Sequence, residues 1–286
     1  MTDTQIPSPF NAQAEYWNSP AAQPWAEQHE RQDRALASLA TAALDLTAPQ
    51  PGEHVLDIGC GSGTTVLALA ARVGPRGYVL GADIAAQSVA RARARIAAAG
   101  LRHAEVISAD VATHPFVAGS FDLAFSRLGV MFFTDPTAAF ANVHRAMKPA
   151  GRLALVVFRP ASENPWPSAP VAAVRHLLPP MLPPAPDEPG TFSWGDPGRV
   201  QQILEGAGFR EVALTPVNLN YQLAGAGGAA EAAEFALLFG PLTRVSGLSA
   251  EQREAVRAAL EGFFERHATP QGVALPSAFW IVQARV

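Results

Sequence analysis

Lysine is almost missing from this 286-residue chain: Lys148 is the only one. Arginine makes up the rest of the 21 basic residues, 25 Asp and Glu oppose them, and the formal net charge is −4. Without a basic excess the chain lacks the electrostatic footprint of a nucleic-acid or anionic-membrane binder, so neither partner is expected. Cysteine is as scarce. With Cys60 alone, no intrachain disulfide can form and nothing points to an oxidising compartment. There is no run of about 20 apolar residues, the length a membrane-spanning helix needs. Met1-Thr2-Asp3-Thr4-Gln5 has neither the basic nor the apolar region of a signal peptide. A cytoplasmic protein is the expectation. No two of the seven histidines share metal-ligand spacing on a helix, so no metal site is expected. Hydrophobic residues reach 49%, enough for a sizeable core, which excludes global disorder.

The first 20 residues are polar and proline-punctuated, a loose lead-in with a short helix near residues 12–17. Helical periodicity over residues 23–46 puts Leu36, Leu39, Ala40, Ala43 and Leu44 on one face, and Pro49 and Pro51 stop it. Strands and helices then alternate: strand at Val55–Ile58, helix over 64–73, strand over 78–82, helix over 85–99, strands over 105–108 and 121–126, helix over 136–147, strand over 152–158. This alternation predicts an α/β fold with a parallel sheet and right-handed crossovers. The stretch 160–197 holds 11 of the 25 prolines and is expected to be irregular, as a lid, a surface loop or an oligomer arm. Asp196-Pro197 reads as a helix start, 212–223 as a strand, 231–239 as a helix, and Ser249 with Gln252 as a capping box. A last strand is expected over 279–282, which could pair antiparallel with 212–223.

The strongest signal is Val55-Leu56-Asp57-Ile58-Gly59-Cys60-Gly61-Ser62-Gly63-Thr64, a strand that runs through glycines into a helix. Glycines permit a tight turn and close approach of a ligand to the main chain, and the helix start presents unpaired N–H groups. A dinucleotide fingerprint would place glycine where Thr64 stands, and no Gly-Lys-Ser/Thr phosphate loop follows. Asp57, just ahead of the glycines, would repel a pyrophosphate and suits an ammonium group. Asp83 and Asp110 end the next two strands, where open α/β sheets bind ligands. A carboxylate at Asp83 can accept from ribose hydroxyls. One at Asp110 can accept from an adenine amino group while Val111 packs on the ring.

These residues resemble those of the class I S-adenosylmethionine-dependent methyltransferases. The resemblance is carried by Asp57-x-Gly59-x-Gly61-x-Gly63, Asp83, Ala109-Asp110-Val111, and Phe121-Asp122-Leu123 with Ser126. Met131-Phe132-Phe133 through Met147-Lys148-Pro149-Ala150-Gly151 is similar to the ubiquinone/menaquinone-biosynthesis type, although the family's usual Lys-Pro-Gly-Gly turn carries Ala150 here. The resemblance covers residues 50–160 well and the rest weakly. It implies a Rossmann-like three-layer αβα sandwich, a mostly parallel seven-stranded sheet with an antiparallel last strand, and helical cap elements. Three segments follow: 1–48, N-terminal helices over the cofactor site; 49–160, the S-adenosylmethionine-binding core; 161–286, the proline-rich insert, the last strands and a helical cap. S-adenosyl-L-methionine is the implied cofactor. Asp57, Gly59, Cys60, Gly61 and Gly63 would hold its methionine portion, Asp83 the ribose, and Asp110 with Val111 the adenine, with Ile84 also among the cofactor-binding residues. Ser126 and Arg127 would line the floor near the reacting methyl.

The reaction expected is direct displacement onto an oxygen, nitrogen or carbon of a small organic acceptor. It needs alignment above all, and a base only when the nucleophile holds a proton of high pKa. His29, His114 and Arg127 are the catalytic candidates, with Arg127 either a substrate-anion contact or a structural ion-pair partner. Trp17, Trp25, Met131, Phe132, Phe133 and Trp166 are candidates for the substrate pocket, where ring faces suit a sulfonium. A homodimer is compatible with this reading. Two alternatives stay open, an NAD(P)-dependent oxidoreductase and a non-catalytic cofactor-binding protein. Ser126-Arg127-Leu128-Gly129 stands where amino-group DNA methyltransferases carry an Asn/Asp-Pro-Pro-aromatic motif, which disfavours DNA as acceptor.

Overall fold

The computed structural model describes residues 9–181 and 188–286. The start of the polar lead-in, residues 1–8, and residues 182–187 of the proline-rich stretch lie outside the described residues. Four helices come first: α1 (Pro9–Trp17), α2 (Gln23–Glu27), α3 (His29–Ala35) and α4 (Ala37–Thr47). The single helix expected over 23–46 is thus three. The chain leaves helical geometry at Gln28 (φ −100°, ψ 26°) and at Leu36 (φ −111°, ψ 8°). These breaks let α2, α3 and α4 bend over the sheet instead of running straight past it.

The alternating region follows as β1 (His54–Ile58), α5 (Thr64–Val73), β2 (Tyr78–Asp83), α6 (Ala86–Ala98), β3 (Ala104–Ser108), β4 (Phe121–Arg127), α7 (Pro136–Ala146) and β5 (Met147–Phe158). After it come α8 (Pro165–Val174), α9 (Pro197–Gly206), β6 (Arg210–Ala224), α10 (Gly228–Leu238), α11 (Ala250–Glu265), β7 (Ala268–Thr269) and β8 (Gly272–Arg285). Among the described residues there is one sheet, ordered β3-β2-β1-β4-β5-β8-β6, with the two-residue β7 paired to β8. Neighbours from β3 to β5 are parallel, while β8 runs antiparallel to both β5 and β6. The antiparallel last strand therefore sits inside the sheet, flanked on both sides. Strand order reverses direction between β1 and β4, which opens a crevice at their carboxyl ends.

The local reasons are plain in the sequence. Residues Val55 to Ile58 of β1 are all buried, as a central parallel strand covered on both faces requires. In α5 the buried positions Thr65, Val66, Leu69, Ala70 and Val73 form one stripe against the sheet. Asp135 and Asp196 accept from the N–H of Ala138 (2.9 Å) and Arg199 (2.7 Å), capping α7 and α9 ahead of Pro136 and Pro197. The capping box of α11 is formed in both directions, Gln252 N–H to Ser249 Oγ at 3.1 Å and Ser249 N–H to Gln252 Oε1 at 2.8 Å.

Part of the proline-rich stretch is regular after all. Pro165 and Pro167 lie in the first turn of α8, where backbone N–H groups have no helical acceptor and proline costs little. The helix is anchored by Asn164, which is fully buried. Its Nδ2 donates to the carbonyls of Arg159 (3.1 Å) and Pro160 (3.2 Å), and its Oδ1 accepts the N–H of Ala278 in β8 at 2.9 Å. Asn164→Ala should destabilise the protein by about 3 kcal/mol, because it strands the buried Ala278 N–H along with two carbonyls. Urea unfolding checks this, and an unchanged midpoint would show the anchor to be dispensable.

Candidate active site

The loop after β1 turns on three left-handed glycines, Gly59 (φ +64°), Gly61 (φ +53°) and Gly63 (φ +83°). Gly59 passes so close to the loop after β4 that a Cβ on it would lie 2.7 Å from the Gly129 Cα. Ser126 fixes this crossing: its hydroxyl donates to the Ile58 carbonyl at 2.7 Å and accepts the Gly129 N–H at 3.3 Å. A Cβ on Gly63 would meet the Ala92 Cβ at 2.9 Å, so that glycine lets α5 start against α6. Between Ser126 and Gly129, Leu128 is itself left-handed (φ +64°), a conformation that costs a non-glycine residue on the order of 1 kcal/mol.

Three carboxylates stand around this loop. Asp83 accepts the Gly61 N–H on Oδ2 and the Ala85 N–H on Oδ1, both at 2.8 Å, so it shapes the loop as well as facing the crevice. Burial pushes its pKa up, against the opposing pull of those N–H groups. Asp110 accepts the Ala112 N–H at 2.9 Å and adjoins the buried Val111. Asp57 is fully buried beneath the loop, with Oδ2 accepting the Thr65 hydroxyl at 2.5 Å. Its Oδ1 is buried without a hydrogen-bond partner among the described residues. Burial raises Asp57 to about 7, countered by the Thr65 hydroxyl and the charge of Arg127, and reinforced by Asp83.

A cavity of about 260 Å³ opens over these strand ends. Gly59, Cys60, Gly61, Asp83, Ile84, Asp110 and Val111 line it on the β1–β3 side. Arg127, Met131, Phe132 and Phe133 follow β4, while Phe158, Trp166 and Tyr221 close the β5–β6 side. Trp17, Trp25 and His29 reach in from the N-terminal helices. Of the residues expected from the sequence, Asp57, Gly63, Ser126 and His114 do not line the cavity. The first three lie under or behind the glycine loop. The His114 ring packs edge-on against Phe116 at 4.6 Å, and its carbonyl accepts from Asn142.

The N-terminal helices are tied down at both ends of the cavity. Asn18 donates to the Ile84 carbonyl at 3.0 Å and accepts the Ala86 N–H at 2.9 Å. Asp33 accepts from the Thr64 hydroxyl and pairs with Arg95 at 3.0 Å. Arg31 and Arg34 pair with Glu234 and Glu231 of α10 at 2.7 and 2.8 Å. Trp17 packs edge-on against Trp25 (5.8 Å) and Phe132 (5.1 Å), making an aromatic wall. Gln32, Asp33, Leu128, Phe158 and Tyr221 also line the cavity and were not expected from the sequence. For Gln32 a signal existed: Trp25, His29, Gln32 and Leu36 recur at helical spacing on one face.

Residues 55–151 match the family model described as a methyltransferase domain. An O-methyltransferase of Penicillium expansum is 30% identical over 210 residues, 72% of this chain and 67% of that protein. The chain belongs to the S-adenosylmethionine-dependent methyltransferases. Nocamycin O-methyltransferase of Saccharothrix syringae is 37% identical over 184 residues, 61% of this chain. The match spans less than two-thirds of that relative, 65% of its length. The ubiquinone/menaquinone biosynthesis C-methyltransferase of Methylococcus capsulatus is 36% identical over 117 residues, 41% of this chain and 47% of that protein. The fold of this methyltransferase is shared with phosphoethanolamine N-methyltransferase 2 of Haemonchus contortus, solved with S-adenosylhomocysteine. That structure has a TM-score of 0.57 at 15% identity, covering 98% of this chain and 60% of that one. Membership of this family makes S-adenosylmethionine the cofactor. The residues present fit it: a buried carboxylate oxygen without a partner, open space where a Cβ would stand on Gly61, and acids at two further strand ends. Among its described residues no helix is long and apolar enough to cross a membrane, and no group of three His, Cys, Asp or Glu could hold a metal.

Proposed function

We propose that this methyltransferase transfers a methyl group from S-adenosylmethionine to a small organic acceptor by direct displacement, in the cytoplasm. The observation that carries the reading is one continuous cavity that begins at two acidic strand ends, Asp83 and Asp110, and finishes at an aromatic wall. Asp110 and Val111 would take the adenine, Asp83 the ribose hydroxyls, and Asp57 with the glycine loop the methionine portion. When bound, the cofactor supplies a methyl carbon on a cationic sulfur. The protein contributes alignment and water exclusion: Trp17, Trp25 and Phe132 cover the cavity, and the bonded Asp33–Thr64–Arg95 cluster holds that cover to the glycine loop. Such positioning can supply up to ~7–11 kcal/mol. Two relatives are named as O-methyltransferases, which supports oxygen as the accepting atom.

The test is formation of S-adenosylhomocysteine from S-adenosylmethionine with a panel of phenols, enols, carboxylic acids, amines and quinones. Turnover above the acceptor-free background with at least one class supports the reading. Tight binding of NADH instead would overturn it.

Binding should depend on pH. Asp57 is held at about 7 in the folded protein, and a cationic ligand favours its ionised form. Affinity for S-adenosylmethionine should therefore rise as pH climbs through about 7 and level off above it, by at most about tenfold per pH unit. Stability of the empty protein runs the other way. The unfolded chain releases this proton near its ordinary 3.8 while the folded chain keeps it to about 7, so the contribution of Asp57 falls across that window. Calorimetric titrations across this range check the sign, and Asp57→Asn should flatten the profile.

A further inference from the structure

Arg127 ends β4 and lines the cavity; its Nη1 is buried without a partner, and its side chain makes no hydrogen bond or ion pair with any described residue. The structural ion pair that the sequence left open is therefore not formed. The two carboxylates whose charge acts on Arg127, Asp33 and Asp57, form no ion pair with it: Asp33 is held by Arg95 and Thr64, and Asp57 is bonded to Thr65 through Oδ2 alone. Two more donors on the same cavity are idle: Gln32 Nε2 and Trp166 Nε1 are buried without partners among the described residues. Gln32 meanwhile accepts from the Tyr221 hydroxyl, at 3.4 Å. Trp166 lies flat on Tyr221, with ring centroids 4.5 Å apart and an interplanar angle of 5°. Buried donors left unpaired are costly, a charged one most of all, and an anionic acceptor at this end of the cavity relieves those it reaches.

Position separates this cluster from the cofactor end. Asp83 and Asp110 line the cavity at the ends of β2 and β3, whereas Trp166 and Tyr221 belong to the β5–β6 side of the sheet. We propose that the acceptor is a flat oxygen acid, a phenol, enol or carboxylic acid, bound in its ionised form against Arg127, with Gln32 and Trp166 donating beside it. The proposal rests on the methyl-transfer reading and names its substrate class. A carboxylic acid or an acidic enol needs no base, because its proton has already gone to solvent, and beside the guanidinium a phenol gives up its proton to solvent more readily. The acceptor's oxygen lone pair forms the new C–O bond as the C–S pair returns to sulfur, leaving a neutral ether or ester and a neutral thioether.

The test uses the full chain saturated with S-adenosylhomocysteine and matched probes: benzoate against benzamide, and 2-naphthoate against 2-naphthamide. Binding is followed by calorimetry and tryptophan fluorescence, at a pH well above the acids' own pKa. The carboxylates should bind about tenfold or more tighter than the amides, and Arg127→Met should erase that preference while changing affinity for S-adenosylhomocysteine by less than about threefold. Arg127→Lys should keep part of the preference, and Trp166→Phe, which keeps the ring and loses the N–H, should reduce it about threefold. These two variants carry the comparison if Arg127→Met does not fold. Equal binding of acid and amide, or no binding of any carboxylate, overturns the proposal. So does an Arg127→Met variant that keeps the preference but loses S-adenosylhomocysteine, since the guanidinium would then serve the cofactor's own carboxylate. Failure of the unaltered protein to bind S-adenosylhomocysteine at all would instead overturn the methyl-transfer reading.

Discussion

Asp83→Ala should lower affinity for S-adenosylhomocysteine by about 100-fold or more, which corresponds to roughly 2.7 kcal/mol. Two losses add. The carboxylate would no longer accept from the ribose hydroxyls, and hydrogen bonds to a charged acceptor are worth about 1.5–3 kcal/mol each. The loop would also lose its shape, because the Gly61 and Ala85 N–H groups both point at this carboxylate from 2.8 Å. Asp83→Asn separates the two effects. Its remaining carbonyl oxygen can hold one of those N–H groups, so its thermal stability should stay close to that of the unaltered protein while its affinity still drops. Calorimetric titration of both variants checks this, and Asp83→Ala binding within threefold of the unaltered protein would remove Asp83 from the site.

The second large effect compares two glycines in the same loop. Gly59→Ala should destabilise the fold by about 3 kcal/mol or more, because φ +64° is costly for alanine and its Cβ would sit 2.7 Å from the Gly129 Cα. Neither loop can yield, since Ser126 bonds to both. Gly61→Ala has the strained φ of +53° but nothing within 4 Å of its Cβ. Its stability should fall by only about 1–2 kcal/mol. The new methyl would instead occupy the cavity that Gly61 lines, so affinity for S-adenosylhomocysteine should fall about tenfold or more. Urea unfolding and calorimetry on the pair separate the structural glycine from the binding one. Equal loss of stability in both would contradict the assignment.

The cofactor half of this protein was legible because its signals are local. A buried strand, three glycines and a helix start lie within ten residues, and each acid stands at the end of its own strand. Thr64–Val73 needed no correction, since Gly63 and Gly74 bound it on both sides. The acceptor half was not legible, because its residues meet only through the fold. Gln32 reaches Tyr221 across 189 positions, and Trp166 lies on the same ring. The proline content of 160–197 pointed to irregular chain, yet Pro165 and Pro167 fall in a first turn that tolerates them and Asn164 supplies the anchor. The helix expected over 23–46 breaks at Gln28 and Leu36, where no glycine or proline signals a break. The bends follow the surface the helices cover.

We expect the cofactor to lie across the carboxyl ends of β3, β2 and β1, leaving the β4–β6 side for the acceptor. A crystal structure grown with saturating S-adenosylhomocysteine tests it most directly. Adenine should lie beside Asp110 and Val111, the ribose hydroxyls on Asp83, and the sulfur should turn toward Arg127 and Phe132. An adenine found against Trp166 and Tyr221, or electron density with no nucleoside over the glycine loop, would contradict it.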